Sequence, residues 1–264
     1  MSTPWPIVAL IALLGLAIGS FLNVVIYRVP RSESIAFPAS HCPSCQTNLR
    51  PWHNIPVLSW LVLRGRCCYC NVRISARYPL VEAGTAALFA AITLRFGLSV
   101  ELPAYLYLAA IGVTLAMIDF DARRLPDTIV LPSYAVAVLL LMPAGAANGD
   151  WTTAARAFGG MAAFASIYFV LALAYPNAMT FGDVKLAGLL GLYLGWISWS
   201  AILIGVFGGF LLASIGGTAV AVTPRGQHRA ASFALAPCML AAAGLALFVT
   251  MPLSGWYVSL LTSA

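Results

Sequence analysis

The sequence predicts an all-α polytopic membrane protein with about eight transmembrane helices and a small soluble segment after the first. Three observations lead there. Hydrophobic residues make up 61% of the 264, against about 45–50% in soluble domains, and the mean hydropathy is +0.92. The apolar residues fall into eight runs, several of them near the roughly 20 residues that cross a bilayer. Charged residues, only 8% of the chain, gather between those runs.

The runs are Pro6–Ile26, Tyr78–Leu94, Leu102–Ile118, Ile129–Met142, Ala157–Ala174, Val184–Ile197, Ala201–Val222 and Phe233–Met251. The fourth and sixth are short and are expected to extend into neighbouring turns. The first has no basic stretch before it and is too long for a signal-peptide core. It reads as a retained helix that enters with its amino terminus outside. On these boundaries the chain divides into a first helix (1–27), a soluble segment (28–77) and a membrane domain of about seven helices (78–264). Between runs, Ala144–Asp150 reads as a polar external turn and Pro224–Arg229 as a basic cytoplasmic one.

Basic residues orient the array. With eight spans and the amino terminus outside, Arg28, Arg31, Arg50, Arg64, Arg66, Arg73, Arg77, Arg123, Arg124, Lys185, Arg225 and Arg229 share one side. Arg95 and Arg156 occupy the other. Such a bias marks the first side as cytoplasmic. The net charge of +6 then belongs to a basic face apposed to anionic lipid, and nucleic acid is not an expected partner.

Five of the six cysteines lie in the soluble segment, as Cys42-Pro43-Ser44-Cys45 and Cys67-Cys68-Tyr69-Cys70. Two C-x2-C pairs separated by a short loop are the pattern of a four-thiolate zinc site. Cys42, Cys45, Cys67 and Cys70 are the expected ligands and Cys68 the spare. A zinc held this way staples a segment too small for a self-sufficient core, and four thiolates leave no position for a reacting water. His41 and His53 lie beside a set complete without them. Cys238, in an apolar run, reads as a small core residue.

Acidic residues number only eight, and carboxylates at membrane depth are costly. Met117-Ile118-Asp119-Phe120-Asp121 closes one apolar run, and Phe181-Gly182-Asp183-Val184-Lys185 opens another. Both clusters fall at the same membrane edge. Two neighbouring carboxylates do not readily ionise together, so one keeps a proton. The ionised partner can then activate water while the protonated one polarises a carbonyl, which is the chemistry of an aspartyl protease. The plainer alternatives stand beside this. Asp183 and Asp127 can each be a helix N-cap, the preferred reading for Asp127. Glu82 can be an interfacial anchor to Arg77 or Arg73, or can have a role near the catalytic pocket. No serine–histidine arrangement competes, since His41, His53 and His228 all fall in loops.

These residues resemble a known family. Gly19-Ser20-Phe21-Leu22-Asn23-Val24-Val25-Ile26-Tyr27-Arg28-Val29-Pro30 looks like the opening signature of bacterial type IV prepilin peptidases. Asn54–Trp60 and Arg77–Glu82 resemble the text around that family's paired cysteines. Ile118–Asp121, Leu125–Asp127 and Phe181–Lys185 resemble its two aspartate motifs, except that Thr180 stands where the first glycine of Gly-x-Gly-Asp is expected. The resemblance runs from about residue 15 to 195. It implies Asp119 and Asp183 as the catalytic pair, with Gly182, Lys185, Asp121 and Asp127 as supporting motif residues. It implies cleavage of a short basic leader, after a glycine, from pilins or the pseudopilins of type II secretion, at the cytoplasmic face of the inner membrane. Loop-bearing members also methylate the new amino terminus with S-adenosylmethionine, so both activities are expected, although no Gly-rich nucleotide fingerprint locates that cofactor. Thr180 is expected in the β or α region. The competing readings are a non-catalytic zinc-ribbon assembly partner of a secretion or pilus machine and, less favoured, a transporter.

Overall fold

The computed structural model describes residues 3–42, 44–175, 179–221 and 234–262. The turn expected at 224–229, with His228, Arg225 and Arg229, lies outside them. The long helices are α1 (Trp5–Arg28), α3 (Arg77–Phe96), α4 (Leu102–Ala122), α5 (Asp127–Asn148), α6 (Trp151–Ala174), α7 (Phe181–Ile197), α8 (Trp199–Ala221) and α9 (Ala236–Thr262). They match the eight expected spans in order. A five-residue helix, α2 (Leu58–Val62), and two short 3₁₀ turns lie in the segment after α1. No strand occurs among the described residues. Six helices there are long and apolar enough to cross a membrane, namely α1, α3, α4, α5, α6 and α8. The chain is an all-α polytopic membrane protein.

Local chemistry sets the helix ends. Pro4 caps α1, and a further proline sits in its first turn, where a missing N–H costs nothing. Gly97, at φ 63°, ends α3 in a conformation that favours glycine. Asp150 caps α6 by accepting from the N–H groups of Thr152 and Thr153 at 3.1 and 3.2 Å. The segment 144–150 is therefore not a turn throughout. Helix α5 continues to Asn148, and Gly149 at φ 64° stops it. Buried hydroxyls of Thr85, Thr93, Thr114, Ser133 and Thr250 each donate to the carbonyl four residues earlier. That satisfies them inside their own helix, as an apolar environment requires.

The chain forms two compact units, residues 1–114 and 115–264. In the first, α1 packs on α3 through small residues: a Cβ added to Gly15 would stand 2.8 Å from Ala86 Cα, and one on Gly19 2.7 Å from Glu82 Cα. Asn23 fixes the register by donating to the Tyr78 carbonyl at 3.2 Å.

In the second unit α7 is the central helix. Every residue from Leu186 to Trp196 is buried, so the helix is apolar all round and carries no amphipathic stripe. Close approach again needs glycine. A Cβ on Gly160 of α6 would lie 2.7 Å from the Gly191 carbonyl oxygen, and one on Gly195 2.9 Å from Ala157 Cα. Arg156 of α6 closes the far end of α7 by donating to the carbonyls of Gly195 and Trp196 at 2.8 and 2.9 Å. Gly160→Leu is therefore expected to force these helices apart. Overpacking costs about 1–3 kcal/mol, here at the upper end because the obstacle is backbone. Thermal unfolding in detergent checks this, and an unchanged midpoint would contradict the packing.

Candidate functional sites

In the segment after α1 the two cysteine pairs fold alike. Cys42 N–H donates to the Thr47 carbonyl and Gln46 N–H to the Cys42 carbonyl, at 3.1 and 2.8 Å. Cys67 N–H donates to Val72, and Asn71 N–H to Cys67, both at 2.9 Å. Gln46 and Asn71 occupy equivalent places, each at φ 57°. Each knuckle closes with one antiparallel bridge, His41 to Asn48 and Arg66 to Arg73.

The result gathers the Sγ atoms of Cys42, Cys45, Cys67 and Cys70 within 4.8 Å of one another. Cys42 and Cys70 stand 3.8 Å apart. Four thiolates around a tetrahedral zinc at about 2.3 Å sit about 3.8 Å from each other, so this donor set fits that ion. Thr47, through its hydroxyl and its N–H, holds the Cys45 thiol down at about 6. Hydrogen bonds from the backbone of Cys70 and Tyr69 lower Cys67. Cys68 lies outside the cluster, its thiol raised by desolvation and by neighbouring Cys67, and it meets His53 Nδ1 at 3.4 Å. His41 turns to the Ala39 carbonyl. Both histidines thus stand beside the cluster and not in it.

The aspartate motifs meet within the second unit. Asp119 lies in the last turn of α4, not beyond it, and is 6% exposed. Its Oδ2 accepts the N–H of Ala236, the first residue of α9, at 3.2 Å, where a helix amino terminus favours a carboxylate. Asp183 is the third residue of α7 and is also 6% exposed. Its Oδ2 accepts from the N–H and the hydroxyl of Thr180 at 2.8 and 2.9 Å. This is the reach-back half of a capping box, so Asp183 has a helix-end role as well. The two aspartates lie within reach of each other's charge.

Other motif residues take different places. Lys185 pairs with Asp127 at 2.7 and 2.8 Å. Asp127 is the first residue of α5 and not its N-cap, a position that Pro126 holds without a side-chain bond. The expected cap is corrected: Asp127 reaches to α7 instead of to its own helix. That pair is 36% and 55% exposed and so contributes little to stability. Asp121 lies exposed at the end of α4. Gly182 packs closely, since a Cβ there would stand 3.1 Å from Leu125 Cβ, a tight contact. In the first unit, the buried carboxylate of Glu82 accepts the Val57 N–H at 2.7 Å.

Two participants are absent from the sequence reading. Ala236 acts through its backbone, and the signal available was Pro237, which marks a helix start. Tyr168 is wholly buried, and its hydroxyl has no hydrogen-bond partner among the described residues. Asp183 and Cys238 are near enough to act on it electrostatically. Nothing in an apolar helix distinguishes such a tyrosine from core.

Thr180 has φ −107° and ψ 159°, in the expected β region. Thr180→Gly keeps the N–H donor to Asp183 and loses the hydroxyl. Initial rates of the cleavage that the resemblance implies should stay within about tenfold, or about 1.4 kcal/mol of barrier. A hundredfold gain would mean instead that threonine distorts the turn.

The geometry defines a polytopic membrane protein with a four-thiolate knuckle in one unit and a buried pair of carboxylates in the other. Comparison with known proteins goes further. Residues 13–96 match the bacterial peptidase A24 N-terminal domain and residues 106–222 the type IV leader peptidase family. A Pseudomonas putida protein named prepilin leader peptidase/N-methyltransferase is 37% identical over 216 residues, covering 72% of this chain and 73% of that one. Proteins of the same name from Neisseria gonorrhoeae (32% identical, 88% and 87% covered) and Aeromonas hydrophila (33%, 97% and 95%) match nearly end to end. No solved structure matches. The chain belongs to the prepilin leader peptidase/N-methyltransferase family.

Proposed function

We propose that this chain cleaves the short basic leader from type IV prepilins or pseudopilins and methylates the amino terminus so released. The observation that carries the peptidase reading is the buried pair, Asp119 and Asp183, set at the ends of two apolar helices. In the proposed reaction one carboxylate is ionised and takes a proton from water. The other is protonated and donates to the scissile carbonyl as the water oxygen bonds to its carbon. Collapse of the tetrahedral intermediate expels the amine, which takes up a proton. No nucleophilic side chain is needed. The Ala236 N–H and the Thr180 donors give each carboxylate a fixed orientation, which is what a positioned acid and base require. Asp121, Asp127, Gly182 and Lys185 support the motif, Lys185 and Asp127 by joining α5 to α7.

Zinc bound by Cys42, Cys45, Cys67 and Cys70 would complete the fold of the segment after α1, with no coordination position left for catalysis. The bias of basic residues to one side supports a cytoplasmic-face position for that segment and both aspartates. The methyl donor is S-adenosylmethionine, and the partners are pilin-type substrates and lipid. A non-catalytic assembly partner would need neither buried aspartate, and no observation favours it. The test is purified enzyme given a prepilin, with the leader's release followed by mass: cleavage is expected, and an intact substrate would reject the reading.

A further inference from the structure

In the segment after α1, helix α2 has two unlike faces. Trp60 turns inward. Its Nε1 donates to the Ile74 carbonyl at 3.1 Å, and a Cβ added to Gly65 would stand 2.9 Å from its ring. Ser59 donates to the Trp52 carbonyl at 3.0 Å. Leu58, Leu61 and Val62, spaced i, i+3 and i+4, make the other face. They are 59%, 57% and 80% exposed. Three large apolar side chains in one exposed stripe mark a surface made to meet something other than water.

The attachment of α2 says what covers it. Val57, the residue before α2, has φ 59°, an outlier for a β-branched residue. Strain of this kind persists only where the surroundings impose it. Here the imposing group is Glu82, buried in α3, whose carboxylate accepts the Val57 N–H at 2.7 Å. Glu82 follows Arg77, the first residue of α3, by five positions, or about 7.5 Å along the axis. Helix α3 is long and apolar enough to cross the membrane, and the headgroup layer at each side of a bilayer is about 5–7 Å deep. The start of α2 is therefore tied to the level where headgroups meet acyl chains. Tyr78 and Leu80, near the start of α3, are exposed too and add apolar surface at that depth. Trp52 is exposed, as are Arg64 and Arg66 just past α2. Tryptophan favours the membrane–water interface and arginine favours anionic lipid.

We infer that α2 is an interfacial anchor whose partner is the lipid surface. Leu58, Leu61 and Val62 lie among the outermost acyl carbons, Trp52 at the headgroup level, and Arg64 and Arg66 against anionic headgroups. Interfacial helices bury an apolar face about 5–10 Å deep and keep basic residues at the surface, and this segment supplies both. A free helix of five residues would not stay there, but the spans on either side already tether this one to the bilayer. The cysteine knuckles before and after α2 are thereby held on the membrane surface and not out in solvent. Glu82 sets the height of the anchor through Val57.

The test is which molecule α2 touches. Zinc-loaded full-length protein with p-benzoylphenylalanine in place of Val62 is reconstituted into nanodiscs of phosphatidylethanolamine and phosphatidylglycerol. It is irradiated, and the mass added to the probe's peptide is read. A phospholipid is the expected adduct, with phosphatidylglycerol captured above its share of the nanodisc. Arg64→Ala with Arg66→Ala in the same protein should return capture to that share. Capture of a second copy of the chain, of an added prepilin in place of lipid, or of no partner would overturn the inference. So would unchanged headgroup selection in the arginine variant. Tryptic cleavage after Arg64 in nanodiscs gives a second reading. Leu61→Glu with Val62→Glu should raise its rate several-fold, and so should Glu82→Ala. Glu82→Gln, whose amide oxygen still accepts the Val57 N–H, should not. A Leu61→Glu, Val62→Glu protein that keeps its zinc and is cut at the wild-type rate would contradict the anchor. Where a variant loses its metal, lipid capture by the probe decides.

Discussion

Asp119→Asn and Asp183→Asn are each expected to lower leader cleavage by at least about a thousandfold, and the double variant is expected to be no worse than either. A positioned acid or base contributes about 10²–10⁴ in rate, and residues that act as a unit do not add. Asparagine keeps the shape of the side chain and can still accept a hydrogen bond, so Asp119→Asn retains an acceptor for the Ala236 N–H. It cannot take a proton from water or pass one to a carbonyl. Both variants should therefore insert and fold as the wild type does. A single variant that cleaves at near wild-type rate would remove its residue from the pair. Loss of activity in Asp121→Asn with retention in Asp119→Asn would move the assignment by two residues. The exposed position of Asp121 argues against that outcome.

Replacing any one of Cys42, Cys45, Cys67 or Cys70 by serine is expected to lose the zinc and unfold the segment after α1. Structural zinc contributes about 10–16 kcal/mol of apparent binding energy in small domains, far more than the few hydrogen bonds that close each knuckle. Cys68→Ser should keep a full equivalent of metal, because Cys68 lies outside the cluster. Metal analysis of the five variants decides the ligand set. Full zinc in Cys42→Ser, or loss in Cys68→Ser alone, would contradict it. The membrane helices of residues 115–264 form their own compact unit, so the cysteine variants should leave their helical content intact.

Much of this was legible because it depends on local composition. Apolar runs of near bilayer length gave the eight helices, and the paired C-x2-C spacing gave a four-cysteine cluster able to hold a metal, with Cys68 outside it. Helix ends were less legible. Hydropathy falls before hydrogen bonding does, so α4 carries Asp119 and Asp121 in its last turn, α5 runs on through Ala144–Asn148, and α7 begins at Phe181. An aspartate ahead of an apolar run looks the same whether it caps its own helix or reaches another. Asp127 does the latter, Asp183 something of both, and only three-dimensional partners separate the cases. The link from Asp119 to Ala236 spans 117 residues and uses a backbone N–H, which no side-chain pattern records. The buried hydroxyl of Tyr168 is likewise hidden among apolar neighbours. The strained Val57 turn and its Glu82 anchor escaped because a backbone conformation leaves no mark when the residue adopting it is an ordinary valine.

The most direct test of the central claim is the amino-terminal mass of a prepilin after incubation with the purified chain and S-adenosylmethionine, alongside Asp119→Asn and Asp183→Asn enzyme. Wild-type protein should give a product that has lost its leader and gained one methyl group, and both variants should leave the leader in place. An intact prepilin with the wild type, or a missing leader with either variant, would contradict the two-aspartate account.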